Sequence, residues 1–519
     1  MQNKFSNIPK EIVEVAQKLQ DAGHDAYIVG GCVRDLLRGE KPKDWDVTTS
    51  ARPEEILKLF PESFYENKFL TVTVKTSSED PTLQEVEVTT FRAEGKYTDK
   101  RHPDEVRFAE TLEEDLSRRD FTVNAMAFNP KSSASTRGEA GEIQMSKLET
   151  NYKLQISKFK PEIVDPYGGQ ADLKDKLIRA AGDPEKRFDE DALRMVRAVR
   201  LAVELGFKIE EKTREAIVKL AGNLQFIAKE RIRDELIKIF ETPKAKEGIE
   251  LLHELGLLKF IIPEVEEGIG VENRPKIFTI WEHSLRAFEY GAKVGFPLEI
   301  KVAALLHDVG KPRTKGEKKN DEWTFYGHDV VGAKMASQLL ERLHFPRDQI
   351  EKIAKLVRWH LFKYDPDEGI TDSSIRRLIR RVGVENMDDL VKLRICDRMG
   401  MGVPKALPYR LRHFQFRVEK IIREEESPTP KMLKVKGDDV MKILGISPGP
   451  KVGHVLEVLL QEIIDEPAKN ERGKLETRIK ELGGMSDEEL IQIAEEAEKK
   501  TEMTEDERVS EIKAKYYVR

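Results

Sequence analysis

The feature that most constrains the fold is a strand that ends at two glycines and leads into a helix. Residues 26–29 (Ala-Tyr-Ile-Val) are apolar and favour a buried strand. Gly30 and Gly31 follow, allowing a tight turn and close backbone approach to a ligand, and residues 33–37 favour a helix. Amides at the N-terminus of a helix form an anion site, and the guanidinium of Arg34 matches a phosphate in shape and charge. The segment therefore predicts a phosphate-binding turn.

A pair of aspartates lies shortly after this turn. Asp44 and Asp46 flank Trp45 at the start of a second predicted strand, residues 45–48, and the period of two along a strand points both carboxylates to one face. Two adjacent carboxylates repel each other unless a cation lies between them, and hard oxygen ligands suit Mg²⁺. A phosphate cradle beside such a metal site favours nucleotidyl transfer with two metal ions. The structural alternative is a glycine turn followed by a surface aspartate pair.

Five motifs in chain order extend this pattern. They are 30–35 (GGCVRD), 44–46 (DWD), 118–125 (RRDFTVNA), 165–169 (DPYGG) and 187–194 (RFDEDALR). Together they resemble the class II tRNA nucleotidyltransferase and bacterial poly(A) polymerase family, and within it the CCA-adding enzymes. The resemblance implies template-independent addition of C, C and A to the tRNA 3' end from CTP and ATP, with Mg²⁺ and release of pyrophosphate.

The predicted helix 190–201 carries a stripe of charge. Asp191, Arg194, Arg197 and Arg200 recur every third residue and form one slowly drifting face. A carboxylate can accept from cytosine N4 or adenine N6 while an arginine fork donates to the neighbouring ring acceptors; guanine and uracil reverse this pattern. By resemblance to the family's Glu-Asp-x-x-Arg motif, Asp191 and Arg194 form a protein template, and Arg197 and Arg200 help to hold base and triphosphate. A plain solvated face is the alternative.

The resemblance assigns further residues to nucleotide binding. Gly31 and Arg34 belong to the first motif, and Arg119 and Asp120 belong to the third, where the arginine contacts the nucleotide and the aspartate faces the ribose. Glu87, on a predicted strand over 85–91, is a candidate third carboxylate; a surface position on an edge strand is its alternative. These residues are expected to surround one nucleotide beside the metal site.

Residues 91–103 predict a mobile loop, because they are polar, contain Gly95 and end at Pro103. The segment is similar to the flexible loop that CCA-adding and A-adding members possess and CC-adding members lack. It therefore argues against a CC-adding enzyme, and it does not separate CCA addition from A addition.

A second constellation of histidines and aspartates lies beyond residue 280. Neutral imidazoles and carboxylates together favour a metal site. The arrangement resembles the ligand set of the HD phosphohydrolase superfamily, which implies a site for Mn²⁺, Ni²⁺ or Co²⁺. The implied ligands are His283, His307, Asp308, His328, His360 and Asp397. An HD domain that keeps its ligands and serves mainly to bind RNA is the alternative.

The length of 519 residues is too great for one core, and 3.6-residue periodicity dominates after residue 171. We predict an α+β chain in which a small mixed sheet with helices precedes an all-helical remainder. The predicted strands lie near 26–30, 45–48, 70–76, 85–91 and 122–128. The predicted domains are a nucleotidyltransferase head at 1–170 with a flexible insertion at 131–160, a helical neck at 171–270, an HD domain at 271–425 and a helical tRNA-binding tail at 426–519.

Composition predicts a cytoplasmic enzyme. Charged residues make up 35 % of the chain, and no apolar stretch approaches the roughly 18 residues that a membrane span needs. The cysteines, Cys32 and Cys396, lie in unrelated segments, which favours a reducing compartment. The net charge of −6 does not indicate RNA binding, but arginine pairs at 376–377 and 380–381 and the basic aromatic segment 409–417 do. Both a monomer and a homodimer fit the sequence.

We expect a CCA-adding tRNA nucleotidyltransferase fused to an HD domain, with tRNA, CTP and ATP as partners. An A-adding tRNA nucleotidyltransferase or a poly(A) polymerase is the alternative with the same fold. Against the polymerase stand Ala192, where polymerases usually have proline after the aspartate, and the acidic tail. From other classes, the alternatives are an HD phosphohydrolase with an RNA-binding head and a noncatalytic tRNA-binding protein.

Overall fold

The chain has a sheet-containing N-terminal part and a helical remainder, which confirms the predicted α+β class. By contacts it divides into two compact units, residues 1–354 and 355–519. Within the described ranges, no helix combines the length and apolar character needed to cross a membrane. The computed structural model describes residues 8–66, 71–94, 106–130, 162–273, 277–319, 322–365, 370–402, 407–426 and 433–518.

Seven strands of the described head form one sheet in the order β3-β4-β5-β2-β1-β8-β9, and β2 pairs with β5 in parallel. A separate antiparallel pair is formed by β6 and β7. The strands are β1 Ala26–Val29, β2 Asp46–Thr49, β3 Ser63–Glu66, β4 Thr71–Lys75, β5 Glu85–Thr90, β6 Arg92–Glu94, β7 Val106–Phe108, β8 Ala127–Asn129 and β9 Glu162–Val164. The head helices are α1 Lys10–Asp21, α2 Gly31–Arg38, α3 Pro53–Leu59, α4 Leu112–Ser117 and α5 Gly169–Asp175.

The head core forms because strand and helix periodicities agree. In β5 the side chains of Val86 and Val88 are buried, and Glu85 and Glu87, which alternate with them, are exposed, as expected for a sheet with one covered face. Helix α1 buries apolar residues spaced three and four apart. These residues, with Ile28, Val47 and the β5 valines, belong to one hydrophobic core. Two of the candidate carboxylates, Asp46 and Glu87, lie opposite each other on neighbouring strands of this sheet.

The predicted strand over 122–128 is partly wrong. Residues Thr122–Asn124 form a single helical turn, and only Ala127–Asn129 is a strand. The turn is favoured because the Asp120 carboxylate accepts from the Phe121 amide and from the Asn124 side chain. Strands β3, β6, β7 and β9 of the head were not predicted, and β6 lies within the start of the predicted loop 91–103.

Two predicted flexible segments fall largely outside the described residues. The insertion at 131–160 lies wholly outside them, but the flanking strands β8 and β9 pair antiparallel. The loop 91–103 is described only up to residue 94, and its flanking strands β6 and β7 also pair antiparallel. Both segments are therefore inserted between neighbouring antiparallel strands.

The neck is helical apart from one short parallel pair. Strands β10 Leu177–Ile178 and β11 Lys208–Ile209 form that pair, and α7 packs against α9 and α10. Met195, Val196 and Val199 of α7 are fully buried there. The neck helices are α6 Pro184–Glu190, α7 Leu193–Leu205, α8 Glu211–Leu220, α9 Lys229–Phe240, α10 Ala245–Glu254 and α11 Pro263–Glu266.

The remaining part of the first unit is also helical, with one small hairpin formed by β12 Lys318–Lys319 and β13 Glu322–Trp323. Helix α13 buries nearly all of its residues, as its continuous apolar sequence predicts. The helices are α12 Ile280–Val294, α13 Leu298–Leu306, α14 His328–Arg342 and α15 Arg347–Trp359, and the division between the units falls within α15.

The second unit is helical in its described residues. Its largest core joins Leu433 and Val435 to residues of α19–α22, among them Leu459, Ile479 and Leu490. The C-terminal helix begins with a capping box in which Ser486 and Glu489 exchange hydrogen bonds. The helices are α16 Asp372–Val382, α17 Met387–Gly400, α18 Tyr409–Glu426, α19 Gly437–Leu444, α20 Pro450–Asp465, α21 Arg472–Gly483 and α22 Asp487–Tyr516.

Candidate active sites in the head and the HD region

The glycine turn brings three sequence motifs together. Gly30 precedes α2 with φ of 89°, in the region that favours glycine. A Cβ on Gly30 would lie 2.8 Å from Nη1 of Arg119 and 3.3 Å from Oδ2 of Asp46, so no side chain fits without displacement. The guanidinium of Arg34 donates to the carboxylate of Asp35 and to Oδ1 of Asn124. Gly30, Asp46 and Arg119, which come from three of the motifs, therefore lie together.

Asp46 begins β2, whereas Asp44 lies in the bend before it. The prediction that both occupy one strand is wrong, because pairing with β1 and β5 begins at Asp46 or later. Burial raises the pKa of the Asp46 carboxyl and the charge of Asp44 raises it further, while Arg119 opposes both. Asp46 lies opposite Glu87 in the parallel register. The carboxylate of Asp46, with the charge of Asp44 near it, offers oxygen donors of the kind that suit a hard divalent cation.

A buried carboxylate that the sequence reasoning missed supports the third motif. Asp115 has no exposed surface. Nη2 of Arg118 lies 2.9 Å from its Oδ1, and Nη2 of Arg119 lies 3.9 Å from its Oδ2. The hydroxyl of Thr48, on β2, donates to Oδ2 of Asp115 over 3.1 Å. Although burial raises the pKa of Asp115, the charges of Arg118 and Arg119 hold it below its usual value. Asp115 therefore ties the arginine pair to the strand that begins at Asp46.

Asp120 is buried and engaged by neck and head residues. Nη2 of Arg197 lies 2.9 Å from its Oδ2, and its Oδ1 accepts from the Asn124 amide. Burial raises the pKa of Asp120, but Arg197 and Arg194 hold it below its usual value. This places Arg197 of the predicted charge stripe beside the third motif.

The predicted single helix over 190–201 is wrong. Helix α6 ends at Glu190, Asp191 is extended with φ of −143° and ψ of 103°, and α7 begins at Leu193. The break is stabilised because Oδ1 of Asp191 accepts from the Leu193 amide over 3.1 Å. Asp191 therefore does not continue the helical stripe of Arg194, Arg197 and Arg200.

The two predicted base-reading side chains each have a charged partner that the sequence reasoning missed. Nη2 of Arg231, on α9, lies 2.8 Å from Oδ2 of Asp191. Nη1 of Arg194 donates to Oε2 of Glu190 over 2.7 Å, and its Nη2 donates to the carbonyl of Arg118 over 3.2 Å. Both side chains are buried in part, so these partners fix their directions.

Arg200 is placed differently from the other members of the stripe. Its Nε donates to Glu235 over 2.6 Å and its Nη1 donates to Glu204 over 2.8 Å. Two carboxylates already neutralise this guanidinium, which favours a structural role. Its predicted part in nucleotide binding stays a prediction.

A cavity of roughly 290 Å³ lies where the loop-bearing strands meet the neck. Its walls carry arginines and glutamates from the head, at residues 107–118, and from the neck, at residues 187–190. The lining residues are Ala93, Arg107, Glu114, Ser117, Arg118, Arg187 and Glu190. Glu190 belongs both to this wall and to the contact with Arg194, so the cavity adjoins the predicted base-reading residues.

The first unit contains a buried cluster of three imidazoles and one carboxylate, which we name the HD cluster: His283, His307, Asp308 and His328. Nε2 of His283 lies 3.0 Å from Nε2 of His307. The Nε2 atoms of His283, His307 and His328 lie 3.4, 3.3 and 3.5 Å from the Asp308 carboxylate. Four of the predicted ligands are therefore together.

The histidines are oriented as metal ligands would be. Nδ1 of His307 donates to the carbonyl of Ala304 and Nδ1 of His328 donates to the carbonyl of Phe325, over 2.8 and 2.6 Å. Because a carbonyl only accepts, each neutral ring keeps its lone pair on Nε2, which faces Asp308. Nitrogen and carboxylate donors of this kind fit a divalent transition metal.

The remaining predicted ligands belong to the second unit, and both are buried. Nδ1 of His360 donates to the carbonyl of Val357 over 2.7 Å, which again leaves Nε2 as the ligand atom. Asp397 accepts from Nη1 of Arg394 over 2.6 Å. That His360 and Asp397 complete the HD cluster stays a prediction.

Protein-family models match the two regions that contain the candidate sites of the head and of the HD cluster. The family model described as "Poly A polymerase head domain" matches residues 26–138, and "HD domain" matches residues 280–399. Between them, "Probable RNA and SrmB- binding site of polymerase A" matches residues 206–269. These matches define a nucleotidyltransferase that carries an HD domain, and both classes of domain imply the use of divalent metals.

Two similar proteins and one solved structure indicate the family to which the chain belongs. An A-adding tRNA nucleotidyltransferase of Deinococcus radiodurans is 32 % identical over 454 residues, covering 84 % of this chain and 91 % of that protein. A CCA-adding enzyme of Leuconostoc mesenteroides is 36 % identical, covering 72 % and 87 %. The crystal structure of Bacillus stearothermophilus CCA-adding enzyme in complex with CTP has a TM-score of 0.54 at 27 % identity, covering 93 % and 98 %. The chain belongs to the tRNA nucleotidyltransferase and poly(A) polymerase family.

Proposed function

We propose that this protein adds C, C and A to the 3' end of tRNA from CTP and ATP and releases pyrophosphate. The observation that supports the proposal is the approach of Gly30 to both Asp46 and Arg119, by which a glycine turn, a buried carboxylate and a guanidinium lie next to one another. The similarity to CCA-adding enzymes supports the substrate.

Different residues of the head bind the metal and the triphosphate in this proposal. Asp44 and Asp46, with Glu87 beside them, would hold Mg²⁺, which when bound supplies the positive charge that activates the tRNA 3'-hydroxyl and stabilises the transition state at the α-phosphate. Gly31 opens α2, so its amide and the helix N-terminus suit the triphosphate. Arg119 adds a positive charge beside Gly30.

Base selection falls to Asp191 and Arg194. The carboxylate of Asp191 is oriented by Arg231 and accepts from cytosine N4 or adenine N6; the fork of Arg194 donates to the adjacent ring acceptor. The buried Asp120 pairs with the partly exposed Arg197 beside these residues, which supports a ribose contact. Glu190 keeps the Arg194 fork in one orientation before the base binds.

The same-fold alternatives differ from CCA addition in their products. The similarity to an A-adding enzyme leaves A addition as the alternative to be tested directly. Poly(A) synthesis is disfavoured because Ala192 follows Asp191, where the polymerases usually have proline. We therefore assign both CTP and ATP as substrates.

The second unit carries an exposed basic face suited to tRNA phosphates. Arg377, Arg380 and Arg381 are exposed on α16. The guanidinium of Arg381 lies 5.1 Å from the ring of Trp359, which Arg358 approaches as well. Cations beside an aromatic ring suit phosphate contact and base stacking.

A second activity is favoured by the HD cluster. Three imidazoles within 3.5 Å of one buried carboxylate suit a metal-activated hydrolase better than a core. We assign His360 and Asp397 to the same ligand set and Mn²⁺, Ni²⁺ or Co²⁺ to the site. The substrates are damaged tRNA 3' ends and 2',3'-cyclic phosphates, which such a centre opens by adding water.

We place the protein in the cytoplasm. Its proposed substrate is tRNA, and Cys32 and Cys396 are both free and buried thiols. Burial raises the pKa of each thiol to about 12, so neither is a reactive thiolate at neutral pH.

Product length tests the proposed function. A tRNA transcript that lacks its last three nucleotides is incubated with CTP, ATP and Mg²⁺, and the product is sequenced. CCA addition gives a product three nucleotides longer that ends in CCA. A long adenosine tail indicates a poly(A) polymerase, and an unchanged transcript contradicts nucleotidyl transfer to tRNA.

A further inference from the structure

A short segment links the HD cluster to the protein surface. Trp323 ends β13, and Phe325, Tyr326 and Gly327 lead directly to His328, the first residue of α14. The carbonyl of Phe325 accepts both the amide and the Nδ1 proton of His328, so the segment is fixed to a member of the cluster. Tyr326 is 77 % exposed although it lies only two residues from that histidine. An exposed aromatic ring is therefore held close to the HD cluster.

Lysines accompany these aromatic rings from the cluster outward. Nζ of Lys311 lies 2.6 Å from Oδ2 of Asp308 and 5.7 Å from the ring of Phe325. Nζ of Lys315 and Nζ of Lys318 lie 3.9 and 5.0 Å from the ring of Trp323. Cations therefore lie both beside the metal-ligand candidate Asp308 and beside the partly buried ring of Trp323.

The Trp323 ring and its lysine neighbours are anchored. The indole Nε1 donates to Glu272 over 3.0 Å, which fixes the ring plane. The Gly316 amide donates to the carbonyl of Thr324 over 2.8 Å, which holds the lysine-bearing strand beside Trp323. A Cβ on Gly316 would lie 2.7 Å from Oγ1 of Thr324, so this approach depends on glycine. The rim is thus a built surface and not a set of independent side chains.

Alternating rings and cations are the chemistry that single-stranded nucleic acids require. Aromatic side chains stack on bases, and lysines follow the phosphates. A phosphate ion alone would leave the rings unused, and an apolar ligand would leave the lysines without a partner. A nucleotide whose phosphoester reaches the cluster uses both.

We propose that Lys315, Lys318, Trp323 and Tyr326 form a rim that binds the terminal nucleotide of an RNA substrate of the HD cluster. Tyr326 stacks on the terminal base, and the lysines around Trp323 hold the next phosphate. The proposal rests on the proposed hydrolase function of the HD cluster and names its substrate class. It also explains why an exposed tyrosine lies beside a buried metal-ligand set.

Direct binding tests the rim without turnover. Isothermal titration compares guanosine 2'-monophosphate with inorganic phosphate in the presence of Mn²⁺; guanine is chosen because the head should reject it. Tyr326→Ala should weaken nucleotide binding by roughly 5- to 150-fold, the range for one base–aromatic stack. Binding of inorganic phosphate should not change, and Tyr326→Phe should retain nucleotide binding. Because Tyr326 is exposed, thermal unfolding should match the unsubstituted protein.

A charge-reversed variant tests the second part of the rim. Lys315→Glu with Lys318→Glu should weaken a short single-stranded RNA with a 2'-phosphate more than it weakens the mononucleotide. The difference should shrink as salt rises. Equal effects on both probes would contradict the predicted position of the lysines.

The outcomes separate the rim from the hydrolase. Equal binding of nucleotide and phosphate by the unsubstituted protein, or no effect of Tyr326→Ala, overturns the rim; if Mn²⁺ and phosphate still bind, the hydrolase proposal stands. If neither Mn²⁺ nor phosphate nor nucleotide binds, both proposals fail. Loss of nucleotide binding in Tyr326→Ala with phosphate binding intact supports the rim.

Discussion

Two carboxylates, one in the head and one in the HD cluster, have almost no exposed surface and are surrounded in opposite ways. Asp115 is neighboured by Arg118 and Arg119, which carry permanent charge, and by the Thr48 hydroxyl. Asp308 is neighboured by three imidazoles and a single lysine, Lys311. Although burial raises the pKa of Asp308, His307 and Lys311 hold it well below its usual value. Imidazoles differ from guanidinium groups because their ring nitrogens can coordinate a metal ion.

The difference favours a structural role for Asp115 and a metal-binding role for Asp308. The charge of Asp115 is compensated by the protein itself, so this part of the head is complete before a nucleotide binds. The imidazole nitrogens around Asp308 can also coordinate a cation, which the guanidinium groups around Asp115 cannot do. Asp46 is intermediate in how its charge is compensated. Burial and the charge of Asp44 raise the pKa of its carboxyl, and Arg119 opposes them without restoring the usual value. The head is therefore expected to bind its metal weakly and together with the nucleotide.

The largest expected effect is on the chemistry of the head. Asp46→Ala removes a proposed metal ligand, so nucleotide addition should slow by at least about a thousandfold. tRNA binding should remain nearly intact because Asp46 does not serve the RNA. Asp80→Ala, an aspartate of the head that lies away from the site, is the matched control. Single-turnover rates measure the effect, and near-normal addition by Asp46→Ala would refute the metal site.

Loss of the framework carboxylate should affect stability. Asp115→Asn removes the buried counter-charge that lies beside Arg118 and Arg119 and should lower the unfolding free energy by about 3–5 kcal/mol. The folded-state pKa of Asp115 lies below the unfolded value of about 3.9. Its contribution is therefore present above that value and is lost as the pH falls through the folded pKa.

Denaturant titrations between pH 3 and pH 7 check this prediction. The unsubstituted protein should lose stability at the acid end more steeply than Asp115→Asn. Asp21→Asn, on the exposed face of α1, is the control and should keep the normal profile. Parallel profiles for the protein and Asp115→Asn would show that Asp115 does not contribute in this way.

Metal should stabilise the HD cluster. Mn²⁺ at about 100 times its dissociation constant should raise the unfolding free energy by about 2.7 kcal/mol, and a chelator should reverse this. His307→Ala with Asp308→Ala should abolish the stabilisation and the hydrolysis of cyclic phosphates but leave C and A addition unchanged. His253→Ala, an exposed neck histidine, is the control. Metal analysis that finds no bound transition metal would contradict the site.

Base selection should show the smallest effect. Asp191→Ala or Arg194→Ala should reduce discrimination of CTP and ATP against UTP and GTP by about 1–3 kcal/mol. Arg231→Ala should produce a weaker change in the same direction, because it orients Asp191 without contacting the base. Arg214→Ala, on the outer face of the neck, is the control. Unchanged nucleotide ratios in both main variants would place base recognition elsewhere.

The sequence predicted contacts between contiguous motifs better than contacts across the neck. Gly30, Asp46 and Arg119 lie together, and the first two could be foreseen because Gly30 follows β1 and Asp46 begins the neighbouring strand β2. Arg231 could not be predicted, since its pairing with Asp191 depends on how α9 packs against the break after α6. Asp115 was missed because it lies in an acidic segment, residues 113–115, that is typical of a solvated first turn.

The break at Asp191 illustrates the same limit. Helical periodicity over 190–201 is strong, yet a local hydrogen bond from the Leu193 amide to the Asp191 carboxylate ends one helix and begins the next. In the HD cluster the reverse holds: His307 and Asp308 are adjacent in sequence and follow a buried helix, so their position was predictable.

The central claim is that one head site adds both cytidine and adenosine. The direct measurement uses three tRNA transcripts, ending before CCA, after C and after CC, each incubated with one labelled nucleoside triphosphate at a time. The account predicts CTP incorporation into the first two and ATP incorporation into the third, with UTP and GTP rejected throughout. Incorporation of ATP into the third transcript without any incorporation of CTP into the first two would contradict it and identify an A-adding enzyme.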